Sequence, residues 1–205
     1  MDFIPVSLIY ALPLLPFFVL CWAIQSRSHR TLHLLSEEET NCNAEDVAKQ
    51  FLEKSKLSEV SVVKSDDFSK NEFDAESNSI LLSPDTIGHK DIASIGLALR
   101  AVGHAIVHKN EPSLIKYWKN LQRMEIILFW IVFTVLAFGL MASSLPISIL
   151  GYGLGLGILT LYYLNVLISF RINRIIVDFI DNQKLFREDE RKKIHQILFA
   201  EAIKF

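Results

Sequence analysis

Cysteine is nearly missing from this chain. Only two occur in 205 residues, Cys21 inside an apolar run and Cys42 inside a polar one. Two cysteines so placed supply neither a disulfide framework nor a metal knuckle. An excess of either charge is also lacking, since 21 Lys and Arg stand against 23 Asp and Glu for a formal net charge of −2. With that balance and no Arg/Lys-rich arm, the sequence argues against a nucleic-acid partner. The third absence is local. No charged side chain occurs between Glu125 and Arg171, and none from Phe3 to Ile24. The 51% of residues that are hydrophobic are therefore clustered as in a membrane protein. The overall length suits one or two domains.

Phe3 to Ile24 is long enough for one bilayer crossing, which takes roughly 20 residues. Pro5, Pro13 and Pro16 interrupt it, and lipid-embedded helices tolerate proline because neighbours re-satisfy the backbone. No Lys or Arg precedes the run and no A-x-A site follows it, so it reads as an uncleaved anchor rather than a cleaved signal peptide. Arg27 and Arg30 follow this anchor; Lys116, Lys119 and Arg123 precede the second apolar run, and Arg171 and Arg174 follow it. All three basic clusters share one side of a membrane only if the run from Ile126 to Phe170 crosses twice. Ala142-Ser143-Ser144-Leu145-Pro146 supplies the turn. The expectation is three transmembrane helices, with the amino terminus outside and both polar regions in the cytoplasm. Gly151, Gly153, Gly155 and Gly157 lie in the second arm. No strand precedes them and no Lys-Ser/Thr follows, so they are no phosphate loop; they form two G-x-x-x-G pairs suited to helix packing.

Four segments follow from this pattern: an anchor over residues 1–25, a soluble part over 26–124, a transmembrane hairpin over 125–170, and carboxy-terminal amphipathic helices over 171–205. In the soluble part Asn43 suits the N-cap of a helix running to Lys54, with Val47, Ala48, Phe51 and Leu52 on its apolar face. Ser61-Val62-Val63 and Ile80-Leu81-Leu82 are short β-prone runs, separated by a polar stretch from Ser65 to Asn78 that reads as loop and turn. A helix over residues 91–110 follows, and Pro112 ends it by disfavouring helical geometry at Glu111. In the last segment a helix continues to Asn182, and another from Arg187 carries a basic patch at Arg191, Lys192 and Lys193, either resting on anionic headgroups or simply solvated. The fold class is α+β: a mostly helical integral membrane protein with a small α+β domain.

The 91–110 helix carries the candidate chemistry. Ile92, Ile95, Leu99, Val102 and Ile106 form an apolar stripe, while Arg100, His104 and His108 succeed one another at i, i+4 on the other side. A helical zinc peptidase has H-E-x-x-H at such a place, two imidazoles gripping the metal and the Glu acting as general base. Here the five residues ending at His104 are Arg-Ala-Val-Gly-His. One ligand is kept; the other ligand and the base are missing.

The order of segments, together with several short pieces, resembles the YugP-type neutral zinc metallopeptidases of bacterial membranes. The pieces are Ala44-Glu45-Asp46-Val47-Ala48 with Leu57-Ser58-Glu59-Val60, Phe73-Asp74-Ala75 with Leu81-Leu82-Ser83, and Ile92-Ala93-Ser94-Ile95-Gly96-Leu97-Ala98 followed by Val102-Gly103-His104-Ala105-Ile106. The resemblance implies a zincin-like cytoplasmic domain and placement in a bacterial inner membrane. It also implies that the first zinc-binding His falls on Arg100, the catalytic Glu on Ala101, the second His on His104 and the third ligand, a Glu, on Ser169. A catalytic zinc takes three protein ligands and one open position, so no catalytic residue and no metal are expected at this degenerate set.

Several readings stay open. Arg100 either bonds an acidic or carbonyl partner in the cleft, holding the fold together without metal, or points into water. His104 and His108, with Glu111 as a third donor if the helix persists, are the residual metal candidates, and zinc is the cofactor if they act as a rearranged hydrolase. Otherwise the chain is an inactive homologue that binds membrane-protein or peptide clients, or an active paralogue, as adaptor or regulator. A structural subunit of a membrane complex is the remaining possibility. The lipid bilayer is a partner in every reading.

Overall fold

The computed structural model describes residues 15–203 apart from 69, 143, 184 and 185. Most of the predicted anchor therefore lies outside the described residues. From Leu15 the chain is helical, and α1 (Leu15–Ser36) runs unbroken past Ile24 into the polar segment. Among the described residues two helices, where the sequence predicts three, are long and apolar enough to cross a membrane. The apolar part of α1, from Leu15 to Ile24, is about half of the roughly 20 residues that a crossing needs.

Asn43 caps α2 (Ala44–Lys54) as predicted: its backbone is extended and its Oδ1 accepts from the Glu45 N–H at 3.0 Å. Glu45 and Asp46 in the first turn and Lys54 in the last complement the helix dipole. The apolar face of α2, Val47, Ala48, Phe51 and Leu52, is buried. Each large side chain there stabilises the fold by about 1.5–3 kcal/mol through water removed from its surface. Three strands follow, β1 (Ser61–Lys64), β2 (Glu72–Asp74) and β3 (Ser79–Leu82), in the order β1-β3-β2. β3 runs parallel to β1 and antiparallel to β2. β2 corrects the sequence reading, because it lies inside the stretch expected to be loop. It is three residues long with one buried apolar side chain, Phe73, too short for alternation to register. The tight return to β3 passes through Asn78 at φ 48, a left-handed position that Asn tolerates.

The centre of the domain is α3 (Ile92–Asn110), capped by Asp91, whose carboxylate accepts from the Ser94 N–H at 2.8 Å and the Ser94 hydroxyl at 2.7 Å. The sequence predicts an apolar stripe with Arg100, His104 and His108 opposite it, but α3 is buried on both sides. Ile95, Leu99 and Val102 are covered, and so are Ala101, His104 and Ala105. The cause is that α1, α2, β2, β3, α4 (Pro112–Met141), α5 (Leu145–Gln183) and α6 (Glu188–Ala202) all pack against it. Two glycines admit these neighbours. A Cβ at Gly103 would lie 2.1 Å from Cγ1 of Ile176 on α5, and one at Gly96 would lie 2.8 Å from Cγ2 of Ile197 on α6. Pro112 closes α3 and occupies the first turn of α4, where its missing N–H costs nothing.

α4 and α5 form the hairpin, but neither is interrupted at the predicted segment boundaries. α4 passes through Glu125, and α5 continues through Phe170 to Gln183. Their most apolar windows are only 11% buried, so they are not core helices of a water-soluble domain. Ile126, Ile127, Phe129, Trp130, Ile131, Phe133, Phe138 and Met141 are all exposed. The glycine pattern is half right. A Cβ on Gly151 would lie 2.6 Å from Leu136, and one on Gly155 would reach Val132 at 3.9 Å, but Gly153 and Gly157 meet nothing within 4 Å. α6 buries Ile194, Ile197 and Leu198, and its basic patch is paired: Arg191 with Asp181 at 3.3 Å, Lys192 with Glu188 at 2.9 Å and Lys193 with Glu38.

Candidate functional site

Arg100 turns inward. Its guanidinium donates to Glu201 Oε2 of α6 at 2.9 Å, with the Arg side chain 16% and the Glu side chain 6% exposed. Of the two readings left open by the sequence, the acidic partner is the one found. Burial pushes the Arg100 pKa down and the Glu201 charge opposes that shift; a guanidinium remains a cation throughout. The contact is a single hydrogen bond, and Nε of Arg100 has no partner among the described residues.

His104, one turn on, is 5% exposed, and its ring lies 4.8 Å from the ring of Trp118 on α4. Burial foremost, then the charges of Arg100 and Lys119, hold its pKa well below the ordinary 6.5. It is therefore a neutral imidazole between cations at neutral pH. His108 packs its ring 5.3 Å from that of Phe73, and its Nδ1 makes no hydrogen bond among the described residues. Glu111 lies beyond the end of α3, where its carboxylate accepts from Arg171 at 2.8 Å. The three residual metal candidates thus face three different neighbours. Ala101 is fully buried. Ser169 is buried on α5, one turn from Asn165 and one from Asn173 on the same helix face; Asn173 donates to the Leu198 carbonyl of α6.

Four residues of this region escape a reading by motif. Glu201 stands 101 positions from its partner, with no local pattern to mark it. Trp118 Nε1 donates to Asn165 Oδ1 at 2.6 Å, and Asn165 Nδ2 donates to Glu125 Oε2 at 3.2 Å. A polar relay therefore leads from the face of the His104 ring into the hairpin. Its signal was available: Asn165 is the single amide in the charge-free run, and a strongly polar side chain inside an apolar span ordinarily has a partner there.

The donor set can be weighed against a zinc ion. Such an ion takes three protein ligands drawn from His, Cys, Asp and Glu. Among the described residues no three such side chains converge. His104 is the position at which the resemblance keeps a ligand, and the charges that lower its pKa, Arg100 and Lys119, also oppose a dication. The residues do not fit a zinc ion.

A sequence profile of the family described as "Putative neutral zinc metallopeptidase" matches residues 10–205. No curated protein and no solved structure matches the chain.

Proposed function

The chain belongs to the putative neutral zinc metallopeptidase family, and from that premise we propose that it is a member without hydrolytic chemistry, retaining the scaffold as a membrane-bound binding protein. The observation that carries this reading is the Arg100–Glu201 ion pair, at 2.9 Å, at the position that the resemblance assigns to the first zinc-binding His. A fixed cation there supplies charge that a metal would otherwise bring, and its carboxylate partner comes from α6. Metal-assisted hydrolysis needs a cation to polarise water and a base to receive its proton. Ala101 has a methyl group at the base position, and Ser169 a neutral hydroxyl at that of the third ligand. The function left to the scaffold is recognition of membrane or unfolded protein segments, as an adaptor or a regulator.

In the same proposal the α4–α5 hairpin crosses a bacterial inner membrane, with the domain around α3 and the carboxy-terminal helix on the cytoplasmic side. Its support is the charge-free run between Glu125 and Arg171, the exposure of its apolar side chains, and basic residues at both ends. The test is an incubation of the purified chain with an unfolded protein substrate and zinc. No cleavage is expected from the natural chain, whereas zinc binding is expected once Arg100→His, Ala101→Glu and Ser169→Glu are combined. Chelator-sensitive cleavage by the natural chain, lost on His104→Ala, would overturn the proposal.

A further inference from the structure

Between α1 and α6 runs a groove of about 450 Å³, lined by Arg27, Ser28, Thr31, His195, Gln196, Phe199, Ala200 and Ile203. No carboxylate is among them. A neighbouring groove shares Thr31 and Gln196 but holds both Glu38 and Asp189 beside Lys192 and Lys193. Its lysines are paired, Lys193 with Glu38 and Lys192 with Glu188. Of these two grooves, the one at Arg27 joins a cation and apolar side chains without a carboxylate in its lining.

Two contacts and one position along α1 fix its height relative to the hairpin. Phe199, 53% exposed, sets its ring 5.3 Å from that of Phe170 at a tilt of 53°, and Phe170 is the last residue of the charge-free run. The Ile203 carbonyl accepts from Tyr162 OH, inside that run, at 2.7 Å. Arg27 follows the apolar part of α1, where Val19 and Trp22 are exposed; tryptophan favours the headgroup level. The groove thus sits at the rim of the hairpin, with its cation at the level where apolar α1 gives way to polar α1.

We propose that this groove binds an anionic glycerophospholipid, its phosphate held by Arg27 with Thr31 and Gln196 in reach and its acyl chains running past Phe199 and Ile203 toward the bilayer. The proposal rests on the hairpin lying in a membrane. The occupant follows from complementarity: one guanidinium without an ion pair among the described residues suits one phosphate, the apolar wall suits hydrocarbon, and the volume falls within the roughly 300–1,000 Å³ of small-molecule sites.

The experiment uses the full chain in detergent, delipidated, with thermal unfolding followed during titration with short-chain phosphatidylglycerol, phosphatidylcholine or inorganic phosphate. Saturable stabilisation by phosphatidylglycerol is expected, with about fivefold weaker apparent affinity after Arg27→Gln, the effect of one basic residue at an anionic surface. Lys192→Gln, in the paired groove, is expected to leave the affinity unchanged. Equal stabilisation by phosphatidylcholine would remove charge recognition. Equal stabilisation by phosphate would make this an anion site without a lipid, and an unchanged Arg27→Gln affinity would move the site elsewhere; each result overturns the proposal. Native mass spectrometry of the natural chain, which needs no variant, is expected to find one retained anionic lipid, and retention of none contradicts it. Alkaline carbonate extraction separates the two levels. Membrane retention without lipid preference defeats only the groove, whereas release into the supernatant defeats the membrane placement as well.

Discussion

At the scale of single residues the ion pair between Arg100 and Glu201 makes the sharpest demands. Removing one member leaves a charge in a site from which water is largely excluded. Arg100→Ala and Glu201→Ala are each expected to destabilise the chain by about 3 kcal/mol, because breaking a buried pair costs far more than replacing it. Arg100→Met combined with Glu201→Leu is expected to recover most of that loss, and chemical denaturation of this pair together with single Arg100→Met and Glu201→Leu makes a double-mutant cycle. Additive single effects would mean the two side chains do not act as a pair. His104 predicts a pH dependence. Its pKa is depressed in the folded chain by burial, Arg100 and Lys119, so the unfolded chain binds its proton first on acidification. The contribution of neutral His104 is complete above pH 6.5 and is lost as the pH falls through and below that value. Thermal midpoints measured from pH 8 down to about pH 5 are expected to fall, and His104→Asn is expected to flatten that slope. A slope unchanged in the variant would assign the acid sensitivity to other groups.

Among the elements, α3 is held by close approach rather than by one apolar stripe. Gly103→Ala forces Ile176 aside and is expected to cost about 1–3 kcal/mol, the range for overpacking a filled core. Gly103→Ala with Ile176→Ala should lose less than the two single changes summed. Gly153→Ala meets open space and is expected to be neutral, or to stabilise by up to about 1 kcal/mol through helix propensity. A cost at Gly153 equal to that at Gly103 would contradict the packing described here. This contrast also marks what sequence reasoning reaches. The Asn43 cap, the Pro112 stop and the hairpin turn are legible because each acts within a few residues of itself. β2 is not, since three residues with one apolar side chain carry no period. The depth of burial of α3 is hidden too, because it depends on how many elements gather around one helix. Arg100 could be picked out by its place in a damaged motif, but Glu201 could not, because their bond joins segments far apart in the chain. The equal billing of the two glycine pairs fails for a related reason: spacing marks a small-residue face without saying whether a neighbour arrives there.

As a whole molecule the chain joins a hairpin of exposed apolar helices to a domain packed around α3, which the proposed function reads as a peptidase helix without its metal ligands. The polar relay from Trp118 through Asn165 to Glu125 connects these two parts. The chain belongs to the family, and in the proposed function the side chains at Arg100, Ala101 and Ser169 decide what its scaffold can do. The measurement that bears most directly on this is the zinc content of the intact chain, purified without chelator from zinc-supplied cells and quantified by elemental analysis. The account predicts less than about one-tenth of a zinc per chain, the level of adventitious metal on a site lacking its ligand count. One zinc per chain, lost on His104→Ala, would contradict it.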